Sequence, residues 1–218
     1  MAAPTLILHN YWRSSASYRV RIALELKGLP YRYQPVHILK DGGQHRGAGY
    51  REMNPMAQVP TLEVVDGERR EHLPQSLPII EFLEERWPTP PLLPADLFLR
   101  ARARALAELI NSGIQPLQNL TTARRLVEMG GDERRWRELF IGEGLAAFNE
   151  QVAATRGQFC VGDAPTLADC FLIPQLYAAR RFGIGVDHLA PLLEIEARCA
   201  ALPTFAAAAP ERQPDATP

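Results

Sequence analysis

The sequence predicts an α/β N-terminal domain followed by an all-α C-terminal domain, and three observations lead to that prediction. Period-two and helical patterns alternate through the first part of the chain. The stretch 88–94 then carries four prolines in seven residues and breaks both patterns, as linkers do. From Ala95 onward apolar residues recur only at helical spacing. We therefore expect domains at 1–87 and 95–218, joined by a linker at 88–94.

The N-terminal domain is predicted to begin with a strand-helix-strand unit. The predicted elements are a strand at 5–8, a helix at 15–27 ended by Gly28, a strand at 31–36, a short helix at 49–53, hairpin strands at 61–65 and 68–72, and a helix at 76–87. Asp66-Gly67 is a typical hairpin turn. A helical crossover makes the first two strands parallel, so the segment after the first strand lies at its carboxyl end, where ligands usually bind.

The C-terminal domain is predicted to consist of helices at 97–118, 132–155, 167–182 and 188–201. Thr166 followed by Asp169 predicts a capping box, which is a structural role. The tail 210–218 has three prolines and no apolar period, and we expect it to be loosely ordered.

Composition excludes several functional classes. The chain of 218 residues has 24 Lys and Arg against 25 Asp and Glu and no basic run interleaved with aromatics, so we expect no nucleic-acid partner. An apolar run of about eighteen residues, which a membrane span needs, is absent, and we expect a cytoplasmic protein without a membrane partner. The histidines and cysteines lack metal-ligand spacing, so no metal is expected. Cys160, Cys170 and Cys199 are interpreted as buried hydrophobes in a reducing compartment.

Clustered hydroxyl residues follow the first strand and open the first helix. Ser14 and Ser15 stand there with free N–H groups of the first helical turn, and Arg13, Arg19 and Arg21 lie nearby in the sequence. Such a turn favours a carboxylate, phosphate or thiolate. The alternative is that Ser14 only caps the helix and the arginines are solvated.

A second feature is Val59-Pro60, directly before the first hairpin strand. A proline at a strand start is an edge or loop feature, and an X-Pro bond in the cis form could turn main-chain polar groups outward. The sequence leaves the cis and trans forms open.

Six motifs in order resemble the zeta class of the cytosolic glutathione transferases, the maleylacetoacetate isomerases. The resemblance runs from residue 5 to about residue 215. It includes Arg13-Ser14-Ser15 with Tyr18 to Leu24, Lys40 to Gln44, Asn54 to Pro60, Gln75-Ser76, Ile114 to Asn119 and Cys160 to Asp163. It implies a thioredoxin-like N-terminal domain, an all-helical substrate domain and a homodimer.

The resemblance also implies glutathione as the cofactor and assigns residues to it. A Gln-Ser pair holds the γ-glutamyl end, the residue before a cis-proline pairs with the cysteinyl main chain, and a serine turn stabilises the thiolate. The residues implied are Gln75 and Ser76, Val59, Ser14 with Ser15, His45 near the glycyl carboxylate, and Gln115 and Asn119 on one helical face. A surface-loop role for His45 and a solvated face for Gln115 and Asn119 are the alternatives.

One departure from the family pattern concerns the serine turn. Zeta-class proteins usually have Ser-Ser-Cys-Ser there, whereas this chain has Ala16 in place of the cysteine. The cis-trans isomerisation that the resemblance implies uses the thiol of glutathione and not a protein thiol. We therefore expect Ala16 to leave isomerisation possible and to remove a site of oxidative inactivation.

The reaction that the resemblance implies is cis-trans isomerisation of maleylacetoacetate to fumarylacetoacetate in tyrosine and phenylalanine breakdown, by reversible thiolate addition. Arg13 and Arg181 would bind the substrate carboxylates, although a helix-end role is an equal alternative for Arg181. A maleylpyruvate isomerase of gentisate degradation is the nearest rival. Relatives specialised for maleylpyruvate can carry extra cationic residues after the position of Asn119, whereas this chain has Leu120-Thr121 there, which favours maleylacetoacetate. A transferase for α-halo acids and a non-catalytic binding module are further rivals.

Overall fold

The computed structural model describes residues 3–217 and divides the chain into two units. The first unit is Met1–Pro91 together with Pro203–Pro218, and the second is Leu92–Leu202. The change from one unit to the next at residue 91 falls within the predicted linker. The end of the chain differs from the predicted layout, because Pro203 and the residues after it pack with the N-terminal elements.

The first unit contains a four-stranded sheet with helices. Its N-terminal elements are β1 (Thr5–Asn10), α1 (Ser15–Leu26), β2 (Arg32–Pro35), α2 (Ala48–Met53), β3 (Thr61–Asp66), β4 (Arg69–Pro74) and α3 (Ser76–Arg86). The strand order is β2-β1-β3-β4. As predicted, β1 and β2 are parallel, and β3 and β4 form a hairpin with Gly67 at φ 62°.

Helix α1 is buried along most of its length and carries a charged residue inside the fold. Arg21 is 0% exposed. Its Nε donates to the Ala208 carbonyl at 3.0 Å, its Nη1 to Asn10 Oδ1 at 3.0 Å and its Nη2 to the Trp12 carbonyl at 2.8 Å. A buried guanidinium is tolerated only when its donors are satisfied, so these three segments are held together at one point.

The second unit is all helical. Its helices are α4 (Leu97–Glu108), α5 (Gln115–Gln118), α6 (Leu120–Glu128), α7 (Glu133–Val152), α8 (Leu167–Arg181) and α9 (Ala190–Ala200). The prediction of one continuous helix at 97–118 is wrong, since a π-helical turn at Leu109–Ile114 separates α4 from α5. Ser112 Oγ donates to the Glu108 carbonyl at 2.7 Å, and Pro116 has no N–H for a helical hydrogen bond. Helix α6 was not predicted.

The tail 210–218, predicted to be loosely ordered, is structured in its described part, residues 210–217. Helix α10 (Pro203–Ala208) precedes it, and a 3₁₀ turn at Pro210–Arg212 begins it. Gln213 is 8% exposed, and its Nε2 donates to the carbonyls of Ala207 and Ala209 at 2.9 and 2.8 Å. These side-chain contacts, which hydrophobic patterning does not reveal, fold the proline-rich segment.

Other predictions can be compared directly. The capping box is confirmed, since Thr166 Oγ1 accepts from Ala168 N–H at 3.3 Å and Asp169 Oδ2 accepts from Thr166 N–H at 2.7 Å. The three cysteines are buried and free, as expected of buried hydrophobes: Cys160, Cys170 and Cys199.

Within residues 3–217, no group of three or more His, Cys, Asp or Glu residues is arranged to hold a metal ion. No helix in the same range has the length and apolar character to cross a membrane.

A buried carboxylate on β3 links three strands. Glu63 is 4% exposed, its Oε2 accepts from His9 Nε2 at 2.8 Å, and its Oε1 lies 2.8 Å from Arg70 Nη1. His72 Nε2 lies 4.0 Å away. Burial alone would raise the pKa of Glu63, but the hydrogen bond from His9 and the nearby positive charges lower it below its ordinary value.

The charge of Glu63 should therefore contribute to stability above the pKa of the unfolded chain, which is about 4.3 for glutamate. We expect the unfolding free energy of Glu63→Gln to lie below that of the wild type at neutral pH. The difference should shrink as the pH falls through the lowered folded-state pKa of Glu63. Urea unfolding of both proteins across this range measures it, and a difference that grows in acid would contradict the assignment.

Candidate functional site

The strand register brings four chain segments to one end of the sheet. His9 of β1 pairs with Thr61 of β3, which pairs with Pro74 of β4. Asn10 at the end of β1 pairs with Pro35 at the end of β2. The segments that follow β1, β2 and β4 therefore start at the end of the sheet where β3 begins. These segments lead to the predicted serine turn, the His45 loop, Gln75-Ser76 and Val59.

The serine turn is the N-terminus of α1. Ser14 is the N-cap, and its Oγ accepts from Ser17 N–H at 3.2 Å, so its hydroxyl proton is available to donate outward. Ser15 and Ala16 are in the first helical turn, where N–H groups have no helical acceptor, and both are half-buried. The turn thus offers a hydroxyl, two amides and the positive end of the helix dipole to an anion. Capping by Ser14 and anion binding are compatible.

The segment before β3 presents main-chain polar groups. The Gln58 carbonyl accepts from Tyr50 Oη at 2.7 Å and Asn54 Nδ2 at 2.8 Å. The Val59-Pro60 bond is cis, which answers the question that the sequence left open. Within residues 3–217, the N–H and C=O of Val59 have no hydrogen-bond partner. An extended peptide could pair with them as with a strand edge.

Gln75 and Ser76 begin α3. Gln75 has φ 72° and ψ 127°, a region that side-chain-bearing residues rarely adopt, and its Nε2 donates to Gln58 Oε1 at 3.2 Å. Ser76 Oγ accepts from Arg19 Nη1 at 3.1 Å, so the hydroxyl of Ser76 keeps a proton to donate. Strained backbone of this kind costs about 1–3 kcal/mol and is typical of ligand sites.

The loop after β2 carries His45. His37 Nδ1 accepts from the N–H groups of Leu39 and Lys40 at 3.1 and 2.9 Å, which organises the start of the loop. His45 is half-buried, and its Nδ1 has no partner among the described residues. Burial and the charge of Arg46 lower the pKa of His45. The lowered pKa favours the neutral form of the His45 ring.

Two of the three arginines that the sequence placed near the turn have structural roles. Arg19 is 1% exposed and contacts Ser76, while Arg21 is buried and bonds to main-chain carbonyls. Arg13 is half-buried, and its Cζ lies 5.1 Å from the centre of the Trp12 ring. Of these three arginines, only Arg13 remains accessible enough to reach a ligand.

Gln115 and Asn119 belong to the second unit and lie at the two ends of the short helix α5. Gln115 begins α5, whereas Asn119 has φ −61° and ψ 144° and is the N-cap of α6. Asn119 Oδ1 accepts from Thr121 N–H at 3.0 Å. Asn119 is also the C-cap of α5, and its helical φ keeps its Cβ one turn after Gln115, so the shared face stays a prediction.

Arg181 also lies in the second unit, exposed at the end of α8, with its Cζ 4.5 Å from the centre of the Phe182 ring. The neighbouring Arg180 forms a bidentate pair with Glu196 at 2.5 Å for both contacts. Carbonyls of the last turn accept from the backbone N–H groups of residues 182–184. They thus have backbone partners without help from the arginine side chains.

Sequence reasoning missed Gln58 and the pair that holds its carbonyl, Tyr50 and Asn54. Gln58 touches Gln75 through its side chain and fixes the approach to Val59 through its carbonyl. Its position directly before Val59 was the available signal, but no periodicity distinguishes such a residue from other loop residues.

Comparisons with known proteins agree with this layout. The family models described as Glutathione S-transferase, N-terminal domain and C-terminal domain match residues 13–86 and 134–207. The chain is similar to the Maleylacetoacetate isomerase of Pseudomonas aeruginosa, with 47% identity over 95% of this chain and 97% of the relative.

Solved structures give the same result. The chain is similar to the maleylacetoacetate isomerase of Anaeromyxobacter dehalogenans 2CP-1 with bound GSH in the active site, at 50% identity, TM-score 0.92 and full coverage of both chains. That protein has also been solved with bound dicarboxyethyl glutathione and citrate. A holo Maleyl Pyruvate Isomerase, described as a bacterial glutathione S-transferase in zeta class, has 40% identity and TM-score 0.90, covering 97% of this chain and 100% of that one.

The backbone of Gln75 leads to a stability prediction. We expect Gln75→Gly to be more stable than Gln75→Ala by about 1 kcal/mol, because glycine relieves the left-handed strain that alanine keeps. The difference in urea-unfolding free energy between the two variants measures it. On the exposed face of α7, Ala146→Gly should instead be less stable than the wild type, which has alanine there, by about 1 kcal/mol. The same sign at both positions would show that Gln75 is unstrained.

Proposed function

The chain belongs to the glutathione S-transferase family and its zeta class, and on that premise we propose that it is a glutathione-dependent cis-trans isomerase that converts maleylacetoacetate to fumarylacetoacetate. The observation that supports this most directly is the serine turn, which offers donors to an anion at the same end of the sheet as Val59 and Gln75. Tyrosine and phenylalanine breakdown is the pathway in which this reaction belongs.

The first unit has the groups that glutathione requires. The γ-glutamyl end of glutathione carries an α-carboxylate and an amine. To these groups the protein offers the amide of Gln75, the hydroxyl of Ser76 and the free N–H groups at the N-terminus of α3. Val59 offers one donor and one acceptor to the peptide in the middle of the cofactor. In our proposal His45 takes the glycyl carboxylate, and binding there would favour its protonated form over the neutral form of the free protein.

Thiolate stabilisation is assigned to Ser14, with Ser15 in support. The Ser14 hydroxyl accepts from Ser17 N–H and can donate its proton to sulfur. The unpaired amides of the first turn and the dipole of α1 add positive potential at the same place. Together they favour the charged form of the glutathione thiol, a group of the same kind as the cysteine side chain, whose free pKa is about 8.5.

Glutathione, when bound, supplies a nucleophilic thiolate that adds reversibly to the cis double bond, permits rotation and is regenerated. The protein itself has Ala16 at the position of the usual turn cysteine. Its three cysteines are buried in the second unit, and burial raises the pKa values of Cys160 and Cys199. The turn therefore carries no protein thiol, which is compatible with a reaction that uses the cofactor thiol.

The substrate carries two carboxylates, and we assign them to Arg13 and Arg181. A guanidinium binds a carboxylate through two parallel hydrogen bonds, which orients as well as attracts it. Arg13 directly precedes Ser14 in the turn, and Arg181 is exposed. Gln115 and Asn119 remain proposed glutathione contacts, in line with the family resemblance.

We also propose a cytoplasmic homodimer. Leu97 and Phe98 at the start of α4 are 77% and 82% exposed, an apolar pair that water solvates poorly. A second copy of the chain would cover this pair, as the family resemblance implies.

Product analysis tests the reaction. Purified protein with glutathione should convert maleylacetoacetate to its fumaryl isomer, with the total of free glutathione unchanged, and conversion should stop without glutathione. Faster turnover of maleylpyruvate would identify a maleylpyruvate isomerase, which the holo zeta-class neighbour makes the second candidate. Stoichiometric loss of glutathione into a stable thioether would indicate a conjugating transferase instead.

Ser14→Ala tests the assigned donor. A hydrogen bond to a charged group stabilises it by about 1.5–3 kcal/mol, so the variant should raise the thiol pKa of bound glutathione by about 1 pH unit or more. Titration of the ultraviolet absorption of the thiolate in the complex measures this. The control is Ser112→Ala, whose hydroxyl bonds to the Glu108 carbonyl in the second unit and should leave the titration unchanged. Equal thiol pKa values in wild type and Ser14→Ala would remove Ser14 from this role.

Phe98→Glu tests the dimer. A buried carboxylate at the contact would be left without a partner, so light scattering should give the mass of a monomer while circular dichroism retains the helical signal. Met129→Glu changes an 86% exposed apolar residue outside α4 and should remain dimeric. A dimeric Phe98→Glu would exclude α4 as the contact surface.

A further inference from the structure

The last residues of the chain reach the turn that carries Ser14. Asp215 accepts a hydrogen bond from Tyr33 Oη through Oδ1. Its Oδ2 accepts from Trp12 N–H at 3.2 Å. Trp12 stands two residues before Ser14 in the sequence, so a carboxylate from the C-terminal tail holds the main chain that leads into the serine turn.

The Trp12 residue is held on both sides of its backbone. Its carbonyl accepts from Arg21 Nη2 at 2.8 Å, while its N–H donates to Asp215. The turn then closes through Ser14 N–H, which donates to the Tyr11 carbonyl at 3.0 Å. Arg21 Nη1 lies 3.5 Å from that same carbonyl. The N–H and the carbonyl of Trp12 are thus held by the tail carboxylate and by the buried cation, respectively.

Hydrogen bonds within the C-terminal tail fix the position of Asp215. Gln213 is buried and bonds to two carbonyls at the end of α10, and Ala216 N–H donates back to the Gln213 carbonyl at 3.0 Å. Burial and the hydrogen bond to Asp215 raise the pKa of Tyr33, so Tyr33 stays protonated and remains a donor. Burial lowers the pKa of Arg21, and the negative charge of Asp215 opposes that effect.

We propose that Asp215 is a positioning residue for the Ser14 turn, so that the C-terminal segment is part of the machinery that orients the Ser14 hydroxyl and the first-turn amides. The part of this proposal that concerns catalysis rests on the isomerase function proposed above. Asp215 acts through the Trp12 backbone and has no assigned contact with cofactor or substrate.

The first test is independent of activity and measures amide hydrogen exchange at Trp12 by NMR in the free protein. Asp215→Ala removes both acceptors and should increase the Trp12 exchange rate at least tenfold relative to the wild type. Asp215→Asn keeps one acceptor oxygen and should lie between them. Asp66→Asn, an exposed carboxylate at the opposite end of the sheet, is the matched control and should leave the Trp12 rate unchanged.

The second test measures the consequence at the site. In Asp215→Ala the thiol pKa of bound glutathione should move toward that of free glutathione, and kcat should fall about tenfold, since small displacements of catalytic groups cost large factors in rate. KM for glutathione should change less than about threefold, because Val59 and Gln75 are untouched. Urea unfolding identifies any variant that is not folded, and Tyr33→Phe then provides a milder removal of one Asp215 partner.

The outcomes separate the two proposals. Unchanged Trp12 exchange and unchanged thiol pKa in folded Asp215→Ala would overturn the positioning role. Faster Trp12 exchange without any effect on thiol pKa or kcat would also overturn it, leaving Asp215 a purely structural residue. A wild-type complex whose thiol pKa equals that of free glutathione would instead count against the proposed function of Ser14, while the exchange result at Trp12 would still stand.

Discussion

The buried guanidinium of Arg21 is the interaction on which the first unit depends. A charge removed from water is costly unless its donors are paired, so the groups that pair with it must stay in place. Those groups are the Asn10 side chain at the end of β1, the carbonyls of the turn before Ser14, and the Ala208 carbonyl of α10. Loss of any one would leave part of a buried cation unsatisfied. The guanidinium therefore joins strand, turn and tail.

Much of the candidate site consists of backbone groups that this framework holds. Anion binding at the turn needs only a hydroxyl and helix N-terminal amides, and peptide binding at Val59 needs one N–H and one C=O. Such groups depend on geometry more than on residue type, which is compatible with Ala16 in place of a cysteine. The site can lose that side chain as long as the turn keeps its shape.

The sequence allowed the order of the N-terminal strands and helices, the crossover, the hairpin and the capping box at Thr166 to be predicted, since each depends on residues close together in the chain. Ser14, Val59 and Gln75 were also proposed as site residues from the sequence, and the sheet register brings their segments to one end. The helix predicted at 97–118 was wrong in its continuity and α6 was not predicted, because the apolar period of the sequence does not reveal a π-helical turn or an asparagine cap.

The sequence by itself determined the family, the two-part layout and the chemistry available at the serine turn, because these reside in local motifs and periodicity. Only the tertiary structure decided which cations are available to a ligand and what the tail does. Arg19 and Arg21 resemble solvated residues in the sequence but are buried, and Arg21 bonds to Ala208, a residue 187 positions away. Asp215 meets Trp12 across 203 positions. Pairings of this kind arise when distant segments pack together, and no local pattern encodes them.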